Sequence, residues 1–301
     1  MGTMYNIKIV DEYGIIKNNL YLNNQIDSIF NKINLHFSTY KDNSEISLFN
    51  SNISQNPLIV SSELFYLVSK SKEIFEISNG SFDITVKPLL DIWGFSTSYK
   101  TQLIPTQSAI DSIKKYVGLD KLILKKTTIL KQNPLTQIDL NSIAKGWAVD
   151  KISQLFKSLK LNHYMIEIGG DIYLSGHNQD KQLWKIGIRD PYSDENNVLY
   201  SISLTDKAIA TSGSYQNNYY IDGIKYSHII NPKTGYPIKH ELISAIIVAD
   251  NCMIADAIAT TVMVKGFDNG LHWINSLTDI ECFITAKLPN GKLKHAKSNG
   301  F

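Results

Sequence analysis

The stretch His163–Gly176, HYMIEIGGDIYLSG, decides how the rest of the chain is read. Two β-prone runs flank Gly169-Gly170, and a double glycine between strands serves a tight turn or a close backbone approach. It is not a dinucleotide fingerprint, because no helix follows it. Short strand-like runs continue to residue 250: WKIGIRDP, VLYSISL, AIATSG, YYIDG, YSHIINP and ISAIIVAD. Strands this short and this closely spaced predict a mainly antiparallel sheet.

Helical periodicity surrounds this block. Leu22, Ile26, Ile29, Ile33 and Phe37 predict a helix over residues 20–36. A serine cap and Glu63 open a second helix at Ser62, which runs to Asn79 and is closed by Gly80. A third spans Thr106 to Val117, ended by Gly118. Residues 121–138 suggest a strand pair around Asn133-Pro134. IDLNSIAKGWAVDKISQLFKSL enters a helix with Ile143, Trp147, Ile152, Leu155 and Leu159 inward, and IADAIATTVMVKG forms another. A helix near 268–277 and a strand pair around Pro289-Asn290-Gly291 close the chain, as a strand over 4–10 opens it. No repeat, linker or internal boundary interrupts 1–301, so one α+β domain is expected, with long helices inserted into the sheet.

Composition narrows the function. With 43% hydrophobic and 19% charged residues, the chain can bury a core. A net charge of +2 is too small to make nucleic acid the expected partner. Arg189 is the only arginine, so a phosphate ligand must rely on lysine, backbone N–H groups, a helix N-terminus or a metal ion. Cys252 and Cys282 form no metal-type pair, and two buried thiols are expected rather than a bridge. No run reaches membrane-span length, and MGTMYNIKIV lacks a signal-peptide pattern.

Four segments carry candidate chemistry. In ADAIATT, Asp256 and Thr260 share a helix face among small alanines, a hard-oxygen pair suited to Mg2+. A solvated aspartate and a back-bonded threonine fit the same spacing. In IDLNSIAKG, Asp139 precedes a helix N-terminus that Asn141 or Ser142 can cap, and Lys145 sits one turn in, within reach of a phosphate. In GSFDITVKPLLDIWGF, Asp83 lies in an apolar, β-prone run and needs a partner. Phe82, Trp93 and Phe95 offer either an aromatic wall or core packing. In YSHIINPKTGYP, His228 precedes more turn punctuation than a hairpin requires.

The order of these motifs is more specific than any one of them. MGTMY, STYKDNSEISLFN, GSFDITVKPLLDIWGF, IDLNSIAKGWAVD, EIGGDIYLSG, AIATSGSYQNNYYIDGIKYSHIINPKTGYP and ADAIATTVMVKG together resemble the ApbE family, over Met1 to about Gly266. That resemblance implies an Mg2+-dependent transfer of FMN from FAD to a threonine or serine of a target protein, with release of AMP. It implies a metal site of Asp256, Thr260 and a backbone oxygen near Ser142. It implies FAD contacts at Met1, Tyr40, Ser81, Phe82, Asp83, Asp139, Lys145, His228 and the backbone near Ile230. His228 and Asp256 are then the candidate catalytic residues, His228 either moving the acceptor proton or holding the nucleotide.

The chain departs from the family pattern at Ser227-His228, where relatives often have two histidines, and at Asn231-Pro232, where they often have aspartate-proline. Family acceptors carry an S/T-G-A-T/S motif after an acidic residue. Thr211-Ser212-Gly213-Ser214 comes nearest and lacks the alanine, so action in trans is expected, on a membrane or secreted redox protein. An exported setting, periplasmic or cell-surface, is expected from the same resemblance, with a leader removed ahead of MGT. An Mg2+-dependent FAD pyrophosphatase and a non-catalytic FAD carrier are the competing readings.

Overall fold

The computed structural model describes residues 2–96, 104–189, 198–215 and 217–301. Strand β1 (Tyr5–Ile9) leads to helix α1 (Asn19–Phe37), where the Asn18 side chain accepts the Tyr21 N–H and Leu22, Ile26, Ile33 and Phe37 are buried. The polar segment after it contains an unanticipated helix, α2 (Glu45–Ser51), capped by Ser44 and burying Ile46 and Phe49. Strand β2 (Leu58–Ile59) precedes α3 (Ser62–Ile77), which Ser61 caps. Asn79 (φ 54°) turns the chain out of α3 before Gly80 (φ 69°) does, so glycine is the second left-handed residue there and not the first.

The run after Asp83 is helical, against the β-prone expectation. Asp83 accepts the Thr85 N–H and starts a 3-10 turn (Ile84–Val86), which continues as α4 (Lys87–Ile92) with Pro88 in its first turn. Capping and proline outweigh the β-branched residues at these positions. Helix α5 (Gln107–Lys114) follows its Thr106 cap. Strands β3 (Leu122–Lys125) and β4 (Thr128–Lys131) pair, and β2 lies on the other side of β4. Their hairpin turns at Lys126 (φ 56°), and the Asn133-Pro134 turn comes only after β4 has ended.

Helix α6 (Ala144–Ser158) opens the second half. The strands then follow as β5 (Tyr164–Ile168), β6 (Asp171–Ser175), β7 (Trp184–Arg189), β8 (Val198–Leu204), β9 (Lys207–Gly213), β10 (Asn218–Ile221), β11 (Ile224–Ser227) and β12 (Leu242–Ala249). Helices α7 (Cys252–Lys265) and α8 (Phe267–Ile274) and strands β13 (Glu281–Lys287) and β14 (Leu293–Lys297) complete the order. Gly169 (φ 57°) and Gly170 (φ 93°) form the β5–β6 turn, a conformation that side chains other than glycine's rarely allow.

Among the described residues, one sheet runs β1-β5-β6-β9-β12-β13-β14, antiparallel at every pairing. The expected α+β architecture is the one observed. Strand β12 is buried along its whole length because both faces are covered. Ala245, Ile247 and Ala249 join the main core with α1, α3, α6 and α7. Ile246 and Val248 meet the β7–β8 hairpin through Trp184 and Ile188. A smaller cluster of Leu89, Trp93, Ile110, Val117 and Ile230 ties α4 and α5 to the loop after β11.

Helix α7 is apolar nearly all round, as expected for a helix buried against other elements. Each large side chain it buries, such as Ile258 and Met263, contributes about 1.5–3 kcal/mol. Cys252 and Cys282 are both buried and unbridged. No helix among the described residues is long and apolar enough to cross a membrane.

Candidate functional site

Helices α6 and α7 meet at their N-termini. An added Cβ on Gly146 would lie 2.2 Å from the Cys252 carbonyl oxygen, so only glycine permits this approach. The closeness lets each helix cap the other. Asp150 of α6 accepts the Cys252 and Met253 N–H groups at 2.8 and 2.9 Å. Asp256 of α7 accepts the Gly146 N–H at 3.2 Å. Neither Asn141 nor Ser142 caps α6; Ile143 holds the cap position without a side-chain bond. Asn141 instead binds Asp139, through its N–H to Oδ1 at 2.7 Å and its Nδ2 to Oδ2 at 3.1 Å.

Asp256 is 2% exposed. A carboxylate so buried is costly unless paired and hydrogen-bonded. Lys145 Nζ donates to both of its oxygens, at 2.9 and 3.0 Å. The same ammonium lies 3.0 Å from Asp171 Oδ2. Burial works to lower the Lys145 pKa, but the Asp256 and Asp171 charges overcome it and hold the ammonium protonated. Asp171 titrates well above the ordinary carboxylate range, first through burial and then through the Asp256 charge, with Lys145 opposing both.

Lys145 and Asp256 open onto one cavity of about 330 Å³, with Asp171 buried behind them. Tyr40, Ser81, Phe82, Asp83, Asp139, Ser142, Lys145, His228, Ile230, Asp256 and Thr260 all line it, so the structure brings eleven of the twelve sequence-predicted residues together. The twelfth, Met1, lies outside the described residues. Its neighbours reach the rim, where Gly169 donates to the Met4 carbonyl at 3.1 Å. Tyr40 stands at the mouth, 74% exposed, while Phe82 is enclosed at 1%. Phe95 also lines the cavity, whereas Trp93 is core: its Nε1 donates to the Gly235 carbonyl at 2.8 Å and its ring stacks on Tyr226.

Asp83 finds its partner in Thr85, whose N–H and Oγ1 donate to Oδ1 at 2.8 and 2.6 Å. Burial still outweighs these bonds and pushes the Asp83 pKa up to about 6. Burial raises Asp139 as well, against the N–H it accepts from Asn141. His228 binds the Asn217 carbonyl through Nδ1 at 2.9 Å. A carbonyl only accepts, so Nδ1 carries the proton and Nε2 of the neutral ring is bare. Burial lowers the His228 pKa, the Asn217 bond works against this, and the Lys145 charge adds to the lowering.

The donors suit a hard divalent cation. Asp256 offers a carboxylate, the Thr260 hydroxyl lies 3.2 Å from Ser212 Oγ, and the Ser142 carbonyl accepts no hydrogen bond among the described residues. A cationic ammonium already stands between the two acidic side chains. Sequence reasoning missed Asp171, Ser212 as a partner of Thr260, and Asn217. Asp171 had a signal, a carboxylate opening a core strand directly after Gly169-Gly170. Asn217 had none, since only the β10–β11 register, Asn218 opposite Ser227, brings it to His228.

Comparison with known proteins gives a consistent result. The model of the ApbE family matches residues 1–284. A Vibrio cholerae protein named FAD:protein FMN transferase is 36% identical over 299 residues, 99% of this chain and 89% of its own length. A Haemophilus influenzae protein of the same name is 32% identical over 99% of this chain and 88% of its own. The solved structure of the flavin transferase ApbE from Vibrio cholerae superposes with a TM-score of 0.91 at 35% identity, covering 100% of this chain and 95% of that one. The apo flavinyl transferase ApbE of Pseudomonas stutzeri superposes at 0.92 and 28% identity, over 100% and 93%.

Proposed function

The chain belongs to the ApbE family, and on that premise we propose that it is an FAD:protein FMN transferase, joining FMN through its phosphate to a threonine or serine of another protein with Mg2+ at the site. The observation that carries this reading is the convergence of Asp256, Thr260 and Lys145 on the cavity that His228, Phe82 and Tyr40 also line. The cavity draws its walls from residues 39 to 264, which supports treating 1–301 as one catalytic unit.

Asp256, Thr260 and the Ser142 carbonyl would hold the metal. When bound, Mg2+ neutralises charge on the FAD pyrophosphate, a task for which this chain has a single arginine, Arg189. Phe82 and Tyr40 offer aromatic surface to the planar rings. Ser81, Asp83, Asp139 and the backbone at Ile230 offer polar contacts to the nucleotide. Lys145 offers positive charge to its phosphates. In the reaction, the acceptor hydroxyl oxygen bonds to the FMN phosphorus as the pyrophosphate bond breaks, and AMP leaves. His228, neutral and with Nε2 bare, is suited to take the hydroxyl proton.

The test is incubation with FAD, MgCl2 and a domain bearing the acceptor motif, followed by separation of the nucleotide products. AMP release without free FMN supports transfer. Free FMN together with AMP would make the protein a pyrophosphatase, and intact FAD would make it a carrier.

A further inference from the structure

Asp171 is the buried acidic group that the proposed reaction leaves unused. It opens β6 and is 0% exposed. Neither of its oxygens accepts an aligned hydrogen bond, although Oδ2 lies 3.0 Å from Lys145 Nζ. Asp256, by contrast, accepts three bonds, two from Lys145 and one from the Gly146 N–H. The ammonium therefore stands between two carboxyl groups and directs its hydrogen bonds at one of them.

Buried acidic groups are ordinarily hydrogen-bonded, and one left bare calls for an explanation. Asp171 is fixed in place, since its strand is paired with β5 on one side and β9 on the other. Lys145 is the movable partner, a point charge on a flexible four-carbon stem. A divalent cation on Asp256 must compete with this ammonium for the same two oxygens. An ammonium that left Asp256 with nowhere to go would be a half-buried charge without a partner.

We propose that Asp171 is a positioning residue that receives the Lys145 ammonium when a divalent cation takes Asp256. Lys145 then acts as an internal counter-ion that keeps the metal-free site folded, and Asp171 keeps it paired after the exchange. The inference rests on the reading of Asp256 as a metal ligand.

The test is calorimetric titration of the full chain with MgCl2, without FAD or acceptor, with folding of each variant checked by circular dichroism. Asp171→Asn should weaken Mg2+ binding by about tenfold, because the ammonium has no second carboxylate to move to. Asp171→Asn combined with Lys145→Met should bind Mg2+ at least as tightly as the parent, since the competitor is gone. Binding in the double variant as weak as in Asp171→Asn, or weaker, would overturn the exchange and make Asp171 a direct contributor to the metal. Unchanged binding in Asp171→Asn would overturn it as well. Asp256→Ala separates the two readings: Mg2+ binding at parental affinity there would remove the metal assignment itself.

Discussion

The Gly146 N–H donates to Asp256 Oδ2 at 3.2 Å, so a carboxylate of α7 caps the open first turn of α6. The bond exists because Gly146 lets the two helix backbones touch. Fold and site therefore depend on one contact. Gly146→Ala puts a methyl group against the Cys252 carbonyl, and forced overpacking of this kind costs about 1–3 kcal/mol. Urea denaturation should show that loss; an unchanged midpoint would contradict the close approach.

The reciprocal cap gives a pH signature. Burial pushes the Asp150 pKa up to about 6, against the two N–H groups it accepts. A raised carboxyl pKa means that the ionised form is the one penalised on folding. Its contribution to stability is thus fullest below the unfolded value of 3.8 and is lost as pH rises through about 6. Asp150→Asn should remove this slope. The stability difference between parent and variant should then fall between pH 3.8 and about 6 and level off above it. A difference constant across that window would contradict the assignment.

His228 should shape the rate profile. Its pKa lies below 6.5, so the neutral ring persists to more acidic pH than a free histidine would allow. The acidic limb of FMN transfer is expected below that value, and His228→Ala should abolish it together with most of the rate, about 10²–10⁴-fold for a lost general base. Transfer by His228→Ala at the parental rate would reduce His228 to a nucleotide contact.

Trp93→Phe keeps an aromatic ring but removes the N–H that reaches the Gly235 carbonyl at 2.8 Å. An acceptor left without its buried donor costs about 1–3 kcal/mol. Gly235 lies in the loop that follows His228, so protease cleavage between Asn231 and Tyr236 should accelerate in parallel with the lost stability. Parental stability and cleavage would show that this bond does not hold the loop.

Much of this was legible in the sequence because the signals were periodic. The helices α1, α3 and α6 bury repeating faces, and those repeats survive in the bare letters, while β12 and α7 show as nearly continuous apolar runs between polar turn residues. Helix α2 was not legible, since its seven residues bury only Ile46 and Phe49, too few to show a period. The turn after Asp83 read as strand because Ile84, Thr85 and Val86 favour strands, while the deciding bond, Asp83 to the Thr85 N–H, is a matter of geometry. The β3–β4 hairpin turns at Lys126, a residue type with no turn preference, and so the nearby Asn133-Pro134 drew the assignment. At the site, Asp256 and Thr260 were found by helix spacing and motif order. Asp171 and Asn217 were not singled out, because their roles arise from side-chain and carbonyl geometry at the β5–β6 and β10–β11 hairpins, which bring them to Lys145 and His228.

The most direct test is the intact mass of an acceptor domain after incubation with FAD, MgCl2 and either the parent enzyme or Asp256→Ala. The expected result is a gain of one FMN less water with the parent, lost on changing the acceptor threonine or serine to alanine, and no gain with Asp256→Ala. An unmodified acceptor with the parent enzyme, or equal modification by Asp256→Ala, would contradict FMN transfer at this cavity.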